Sequence, residues 1–507
     1  MKKIKSIILL LIVSGMFLTL QVNKSSAKVQ LAEIKIGAIG PLDITPGKNI
    51  KWGAELAVDE INDAGGVTVG GTTYNLKLVT RTTSDAATGL PSASVGIENA
   101  KKLIADDQVV AMLGGFRTEV AMGIMGISEL NIPFLGTGSA APITTPYFWR
   151  VTPSNTTQLA RSLIDLYAFG MGYLTVGATP VADITIVREN AGWTLSMKNS
   201  IVSYLHTILP GAYNTPMFNF TEDIVLDQGA SLTTVEGALN TVSDDVEALM
   251  TIFSGPAGTR ITEAWASLDM PQYLAGINVE AQKSTHFDIT QGAAYGEIEL
   301  ETLPPDVTKN ALTQPFRDAF EDKTGELPNY NGFGARDAVY VLKDALERAG
   351  STDAAALQTA LATTDLEGAA YTIKFTSEPG SQQTADPDGN KIDIPGAPTN
   401  ITVHDLYTTA TVGVLDDTYI QGFFAQWQQN GTKKTVWTRP GDTLANRGTN
   451  LPGYVDPKAP VDHDAHGWVA TPTETSEDEA AGFELALVLL VLGNLAVLVH
   501  LQRRKKR

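Results

Sequence analysis

From residue 33 to residue 277 the chain alternates short apolar runs with segments of helical periodicity, and no other feature narrows its possible folds so far. The run 33–40 ends in glycine. Residues 52–63 then place Ala54, Leu56, Ala57 and Ile61 at helical spacing, and Ala64, Gly65 and Gly66 close that helix. A strand over 74–80, a helix over 92–104, a strand over 109–113, a helix over 120–129 and a strand over 132–135 follow. Continuous apolar strands are buried on both faces, which predicts a parallel sheet with helices on either side. The pattern restarts after residues 148–153 with a helix over 157–168, strand 183–187, helix 195–209, strand 246–253, helix 259–268 and strand 273–277. Two consecutive α/β blocks of about 120 residues each predict two lobes, with a crossing near residues 150–155.

The remainder is less regular. Helices are predicted over 315–323 and 334–348, the second with Ala338, Val341, Leu342 and Leu346 on one face. A strand-like run at 370–375 precedes a polar, Gly- and Pro-rich insertion that reaches about residue 399. Runs 419–428 and 434–437 read as paired strands around Gln429, Asn430 and Gly431, a hairpin signal. Residues 440–482 carry Pro, Gly, Asp, Thr and Glu without periodicity, the composition of a stalk.

Both ends read as membrane signals. Lys2, Lys3 and Lys5 precede the apolar run 7–22, and Ser25, Ser26 and Ala27 offer a cleavage site, so residues 1–27 read as a signal peptide, with an uncleaved anchor as the alternative. Residues 483–501 are apolar except for Glu484, Asn494 and His500, and a tail of residues 502–507 with five basic side chains follows. Nineteen residues at about 1.5 Å each span about 28 Å, close to the hydrocarbon thickness of a bilayer. The expectation is a C-terminal transmembrane helix that leaves the body at the cell surface and the basic tail inside.

Residues 28–482 carry 28 Lys and Arg against 55 Asp and Glu, a net charge of about −27. Such a surface repels nucleic acid and anionic membrane and leaves small ligands or basic partners. The chain has no cysteine, which excludes thiolate nucleophiles, zinc–thiolate sites and disulfides and makes stability depend on a large core. Glycosylation triplets occur at Asn155, Asn219, Asn400 and Asn430. His463 and His466 have a metal-like spacing but lie in the stalk, and no G-x-S-x-G, H-E-x-x-H or P-loop sequence occurs. No enzyme activity, cofactor or metal is expected.

Several stretches, taken in order, resemble one family. They are IKIGAIGPL (34–42), GAELAVDEINDAGG (53–66), GGFRTEVAMG (114–123), NIPFLGTGSAAPIT (131–144), YFWRVTPSNTTQ (147–158), GARDAVYVLKDALERAGS (334–351) and GFFAQWQQNGTKKTVW (422–437). Over about residues 33–438 the chain is similar to extracellular solute-binding proteins of the branched-chain amino-acid ABC transporter type, which have the type I periplasmic-binding fold. The resemblance implies an α/β fold of two lobes, each a mostly parallel sheet flanked by helices, joined by three crossings and closing over a ligand. With the C-terminal transmembrane helix added, the expected division is a signal peptide (1–27), a body (28–439), a stalk (440–482), a span (483–501) and a tail (502–507). Within the body, lobe one is expected over about 33–150 and 278–365, and lobe two over about 151–277 and 366–439.

The resemblance also implies site residues. The small hydroxyl residue four positions after the glycine of the third-strand loop, here Thr118, holds the ligand's carboxylate or amino group. The residues after the fourth strand, here Thr137 and Ser139, supply a backbone carbonyl and a further hydroxyl. Trp193 is the nearest aromatic to the one expected from lobe two, displaced by about one position, and Glu280 is the nearest acid to the expected ammonium reader, offset by a few residues. No second aromatic occurs in the loop of Ser254, Gly255 and Pro256. Read from the residues alone, Thr118 is equally a helix N-cap and Ser139 a turn residue. Arg117 either enters the cleft, where it binds a carboxylate bidentately, or pairs with Glu119 on the surface. The implied function is capture of an amino acid, amide or organic acid for ABC permease and ATPase partners, the alternative being a sensing receptor of the same fold.

Overall fold

The computed structural model describes residues 31–127, 129–140, 145–167, 171, 182–203, 205, 218–375, 410–411, 414–415 and 422–437. The first sheet holds β1 (Ala32–Gly40), β2 (Val67–Val69), β3 (Thr72–Thr82), β4 (Met112–Gly114), β5 (Phe134–Gly136) and β6 (Phe148–Arg150), in the order β2-β3-β1-β4-β5-β6. β2 and β3 form an antiparallel hairpin, and the other pairings are parallel. Helices α1 (Thr45–Asp63), α2 (Ala93–Ala105) and α3 (Thr118–Met125) connect these strands.

After α4 (Thr156–Asp165), the second sheet collects β7 (Ala182–Glu189), β8 (Phe218–Leu226), β9 (Ala248–Phe253), β10 (Tyr273–Asn278) and β11 (Ile298–Glu301). Helices α5 (Gly192–Ser203), α6 (Leu232–Leu239), α7 (Ala257–Ser267) and the single turn α8 (His286–Ile289) lie between them. The chain returns to the first lobe as α9 (Thr313–Thr324), α10 (Tyr330–Ala349), α11 (Ala354–Leu361) and the small antiparallel pair β12 (Asp365–Glu367) and β13 (Thr372–Lys374). A two-residue pair, β14 (Ala410–Thr411) and β15 (Val414–Leu415), precedes the hairpin of β16 (Phe423–Trp427) and β17 (Lys433–Trp437). That hairpin completes the second sheet antiparallel to β11, in the order β17-β16-β11-β10-β9-β7-β8.

The apolar runs are continuous because each strand feeds two cores. Leu113 of β4 packs with α1 and α10, while its neighbour Met112 packs with α2 and α3. In the second lobe Met250 and Ile252 of β9 join the core beneath α4 and α5, and Leu249 and Phe253 join the core beneath α6 and α7. Counted over parallel strands alone, both sheets have one order, β3-β1-β4-β5-β6 and β8-β7-β9-β10-β11. In each, the connections part to opposite faces beside the first strand, between β1 and β4 and between β7 and β9. That parting opens a crevice at the carboxyl ends of the strands.

The structure corrects three expectations. Among the described residues no helix is long and apolar enough to cross a membrane, so the fold described is the two-lobed α/β body, and the expected C-terminal transmembrane helix is no part of it. The run 483–501 that carried that expectation lies outside the described residues, as do residues 1–27 and 440–482. The inner lobe boundaries also move. β11 bonds to β10 and β16, so 298–301 belong with the second sheet, whereas Ala370, Tyr371 and Ile373 pack into the first-lobe core. β11 escaped the sequence reading because it alternates Ile298 and Leu300 with buried Glu299 and Glu301 instead of forming an apolar run. Finally, α1 begins about two turns earlier than predicted, with Pro46 in its first turn, where a missing N–H costs nothing.

Two predictions follow from the packing. A Cβ on Gly53 of α1 would lie 2.3 Å from the carbonyl oxygen of Gly332 in the first turn of α10. Gly53→Ala, which at an exposed helix position gains up to about 1 kcal/mol, is therefore expected to lose about 1–3 kcal/mol by overpacking. Calorimetric unfolding would contradict the close approach if the variant melted higher than the parent. The second concerns Asp165 of α4, where burial outweighs the attraction of Arg161 at 3.4 Å and raises the carboxyl from 3.8 to about 6. The folded state therefore holds a proton that the unfolded chain has released, and stability falls as pH rises from about 4 to about 6. Asp165→Asn should remove this slope and gain up to about 3 kcal/mol at pH 7. Urea denaturation at pH 4.5 and pH 7 measures it, and an unchanged pH dependence would refute the assignment.

Candidate functional site

At the end of β4 the chain turns on two glycines with positive φ, Gly114 at 115° and Gly115 at 80°. A Cβ on Gly114 would lie 2.1 Å from the carbonyl oxygen of Ile39, so only glycine fits between β1 and the loop. The loop is tied down on both sides, by Gly115 N–H to Ile39 O at 2.8 Å and by Thr137 N–H to Gly114 O at 2.8 Å. Arg117 follows with φ 68° and ψ 143°, a conformation that a non-glycine residue holds only under local constraint. Its own N–H donates to Gly138 O at 3.0 Å, and α3 starts at the next residue with no side chain capping it.

This backbone sends the Arg117 side chain out of the first lobe and into the second. Nη1 donates to Oε1 of Gln228 at 2.5 Å, and Nη2 lies 3.6 Å from Oε2 of Glu189 at the end of β7. The side chain is 2% exposed and that of Glu189 fully buried. Gly255, after β9, leaves the space for this pair, since a Cβ there would lie 2.7 Å from Nη2 of Arg117 and 2.9 Å from Oε2 of Glu189. The other oxygen of Glu189 accepts the indole N–H of Trp193 at 3.0 Å and the hydroxyl of Ser254. Nε and Nη2 of Arg117 have no hydrogen-bond acceptor. The two crevices thus face each other, and one guanidinium bridges them.

Between the lobes lies a cavity with about 710 Å³ of non-protein space, part of it open to solvent. Phe116, Arg117, Thr118 and Tyr330 line it from the first lobe, and Trp193, Ile277 and Leu300 from the second. Glu301 also reaches it, ion-paired with Lys433, its carboxyl raised by burial with Lys433 opposing the rise. Gln282, another wall residue, donates to Glu299 at 3.1 Å. Burial, with Glu297 alongside, holds Glu299 well above the usual carboxylate range, although it accepts the Asn278 N–H at 2.7 and 2.9 Å.

The residues named from sequence divide. Arg117, Thr118 and Trp193 line the cavity. Ser139 stands behind Thr118, hydroxyl to hydroxyl at 3.4 Å, and its carbonyl accepts Nη1 of Arg150. Thr137 is buried beside Gly334 of α10 and is not a wall residue. Glu280 is not one either; it pairs with Lys283 and lies 3.4 Å from the hydroxyl of Thr259. Glu119 is about one-third exposed and 3.9 Å from Nη1 of Arg117. The sequence reading missed Glu189, Gln228 and Ser254. Their one signal was position, since Glu189 and Ser254 end or follow strands at the carboxyl edge of the second sheet.

Glu189→Gln should leave Arg117 buried without its carboxylate and cost about 3 kcal/mol. It should also shift the Trp193 emission, because the indole loses an ionic acceptor. Urea unfolding followed by fluorescence tests both, and a midpoint and spectrum equal to the parent's would show that the pair is not formed.

Comparisons with known proteins agree with this architecture. The family described as "Periplasmic binding protein" matches residues 33–177. No curated protein sequence matches the chain. Among solved structures, the branched-chain amino acid transporter substrate binding protein of Streptococcus pneumoniae, in complex with isoleucine, is 15% identical with a TM-score of 0.58, covering 80% of this chain and 99% of its own. A leucine binding protein of Thermotoga maritima is 18% identical with a TM-score of 0.58, covering 81% and 99%. An ABC-transporter solute binding protein of R. palustris, in complex with benzoate, is 16% identical with a TM-score of 0.55, covering 76% and 100%. At these identities the likeness establishes the fold.

Proposed function

We propose that this chain is the substrate-binding protein of an ABC importer, capturing a small organic solute between its lobes and presenting the closed form to a membrane permease. One observation carries the reading. A buried arginine at the switch point of one lobe reaches the switch point of the other, beside a largely apolar cavity, with two of its N–H-bearing nitrogens lacking acceptors. A ligand with an anionic group satisfies those donors, and the hydroxyl of Thr118 and the uncapped start of α3 stand beside them. Since the cavity walls come from both lobes, ligand contacts made only in the closed form shift the population towards it. The similarity to isoleucine-, leucine- and benzoate-binding proteins supports a solute of that size.

A thermal-shift screen of the protein against amino acids, amides and carboxylates tests the proposal. A ligand at 100 times its dissociation constant is expected to add about 2.7 kcal/mol of stability. Thr118→Ala is expected to weaken the ligand found by about tenfold or more, because it removes a hydrogen bond to a charged group. A screen in which no solute raises the melting temperature, or a Thr118→Ala variant that binds as the parent does, would count against the assignment.

A further inference from the structure

The balance of donors and acceptors around the cavity identifies the ligand more narrowly, given that the chain binds a solute in this cleft. Donors are in excess. Nε and Nη2 of Arg117 lack acceptors, the Thr118 hydroxyl lines the same end, and no side chain caps the first turn of α3. Acceptors for a cation are not. The carbonyl of Gly138 in the cavity wall already accepts the Arg117 N–H at 3.0 Å, and that of Ser139 accepts Nη1 of Arg150.

The acid of the wall and those nearest it are committed as well, while the partnerless oxygens of Glu119 and Glu189 lie outside the wall, beside Arg117. Among the described residues Glu301 is the only carboxylate in the wall, and it is paired with Lys433, whose ammonium also donates to Gln282 O at 3.0 Å. Glu299 behind it accepts from Asn278 and Gln282, and burial favours its neutral form. Glu280, where an ammonium reader was expected, is taken by Lys283. Glu189 is not in the wall. It stands behind Trp193 and Ser254, and its one oxygen without a hydrogen bond faces Nη2 of Arg117 at 3.6 Å. The rest of the lining carries no charge: apolar Phe116, Leu159, Trp193, Ile277 and Leu300 dominate it, beside neutral hydroxyls such as those of Ser154 and Thr302. An α-ammonium entering this space loses its water and gains no ionised acceptor, whereas a carboxylate meets donors that have none.

We infer that the ligand is a monocarboxylate with an apolar aromatic or branched aliphatic body and no α-amino group, its carboxylate held by Arg117 and Thr118.

Calorimetric titration of the protein with matched pairs decides this: L-leucine against 4-methylpentanoate, and L-phenylalanine against 3-phenylpropanoate, with benzoate and 4-methylpentanamide alongside. At least one desamino acid is expected to bind 100-fold or more tighter than its amino acid, and the amide at least tenfold more weakly than its acid. Tighter or equal binding of the amino acids overturns the ligand class and leaves the solute-binding reading standing, whereas binding by none of these solutes overturns both. Because Arg117→Gln alone leaves Glu189 uncompensated and is expected to destabilise the fold, the paired variant Arg117→Gln with Glu189→Gln is measured too. It is expected to fold, by circular dichroism, and to lose at least 100-fold in carboxylate affinity. A folded double variant with unchanged affinity shows that Arg117 does not hold the ligand and overturns the inference.

Discussion

The guanidinium of Arg117 leaves the first lobe and ends against Glu189 and Gln228 of the second, 2% exposed, and the arrangement of the cleft follows from that contact. Taking two ions out of water is costly, and their attraction offsets the loss only where geometry is good and the remaining polar atoms are satisfied. Here they are not all satisfied, since Nε and Nη2 of Arg117 and one oxygen of Glu189 lack hydrogen-bond partners. A closed cleft without ligand is therefore held by an incomplete set of polar contacts. A ligand that completes the set stabilises closure specifically, because in the open form the same groups are hydrated. This is the differential affinity that hinge closure requires.

The backbone explains why an arginine arrives at that point. Both sheets share one strand order, so each lobe opens its crevice at the equivalent place, and the lobes meet crevice to crevice. In the first lobe Gly114 and Gly115 let the chain leave β4 so close to β1 that no Cβ fits at Gly114, and the strained φ of Arg117 turns its side chain outward. In the second lobe Gly255 keeps space open where the guanidinium ends. Glycine at these positions costs chain entropy in folding. The return is a side chain from one lobe that is buried in the other.

The alternation of strands and helices was legible in the sequence because every buried strand, such as Met112–Gly114 or Ala248–Phe253, must feed apolar side chains to both faces. β11 was illegible for the opposite reason: Glu299 and Glu301 are buried on hydrogen bonds and a lysine, which a polarity pattern reads as surface. The site divided along similar lines. Arg117 and Thr118 come out in the cavity wall because a Gly-Gly turn before a helix fixes where its first residues point. Glu280 lies outside the wall because sequence gives a position along the chain and not a direction, and Lys283, three residues on, pairs with it. Thr137 lies outside the wall for the same reason, beside Gly334 of α10. Glu189 went unseen because its partner is 72 residues away in sequence and in the other lobe.

An anionic ligand must also approach a body whose residues 28–482 carry a net charge of about −27, and the two facts are compatible once distances are compared. Surface charges act through water, where two unit charges about 10 Å apart interact by about 0.4 kcal/mol before screening. At physiological ionic strength the screening length is about 8 Å, so most of the surface charge is felt only weakly at the cavity. Inside the cleft each hydrogen bond from a charged donor to a carboxylate contributes about 1.5–3 kcal/mol. Two or three such bonds from Arg117 and Thr118 outweigh the residual repulsion. The acidic surface then acts mainly on the rate of encounter, which it lowers most at low salt, while the buried donors set the affinity.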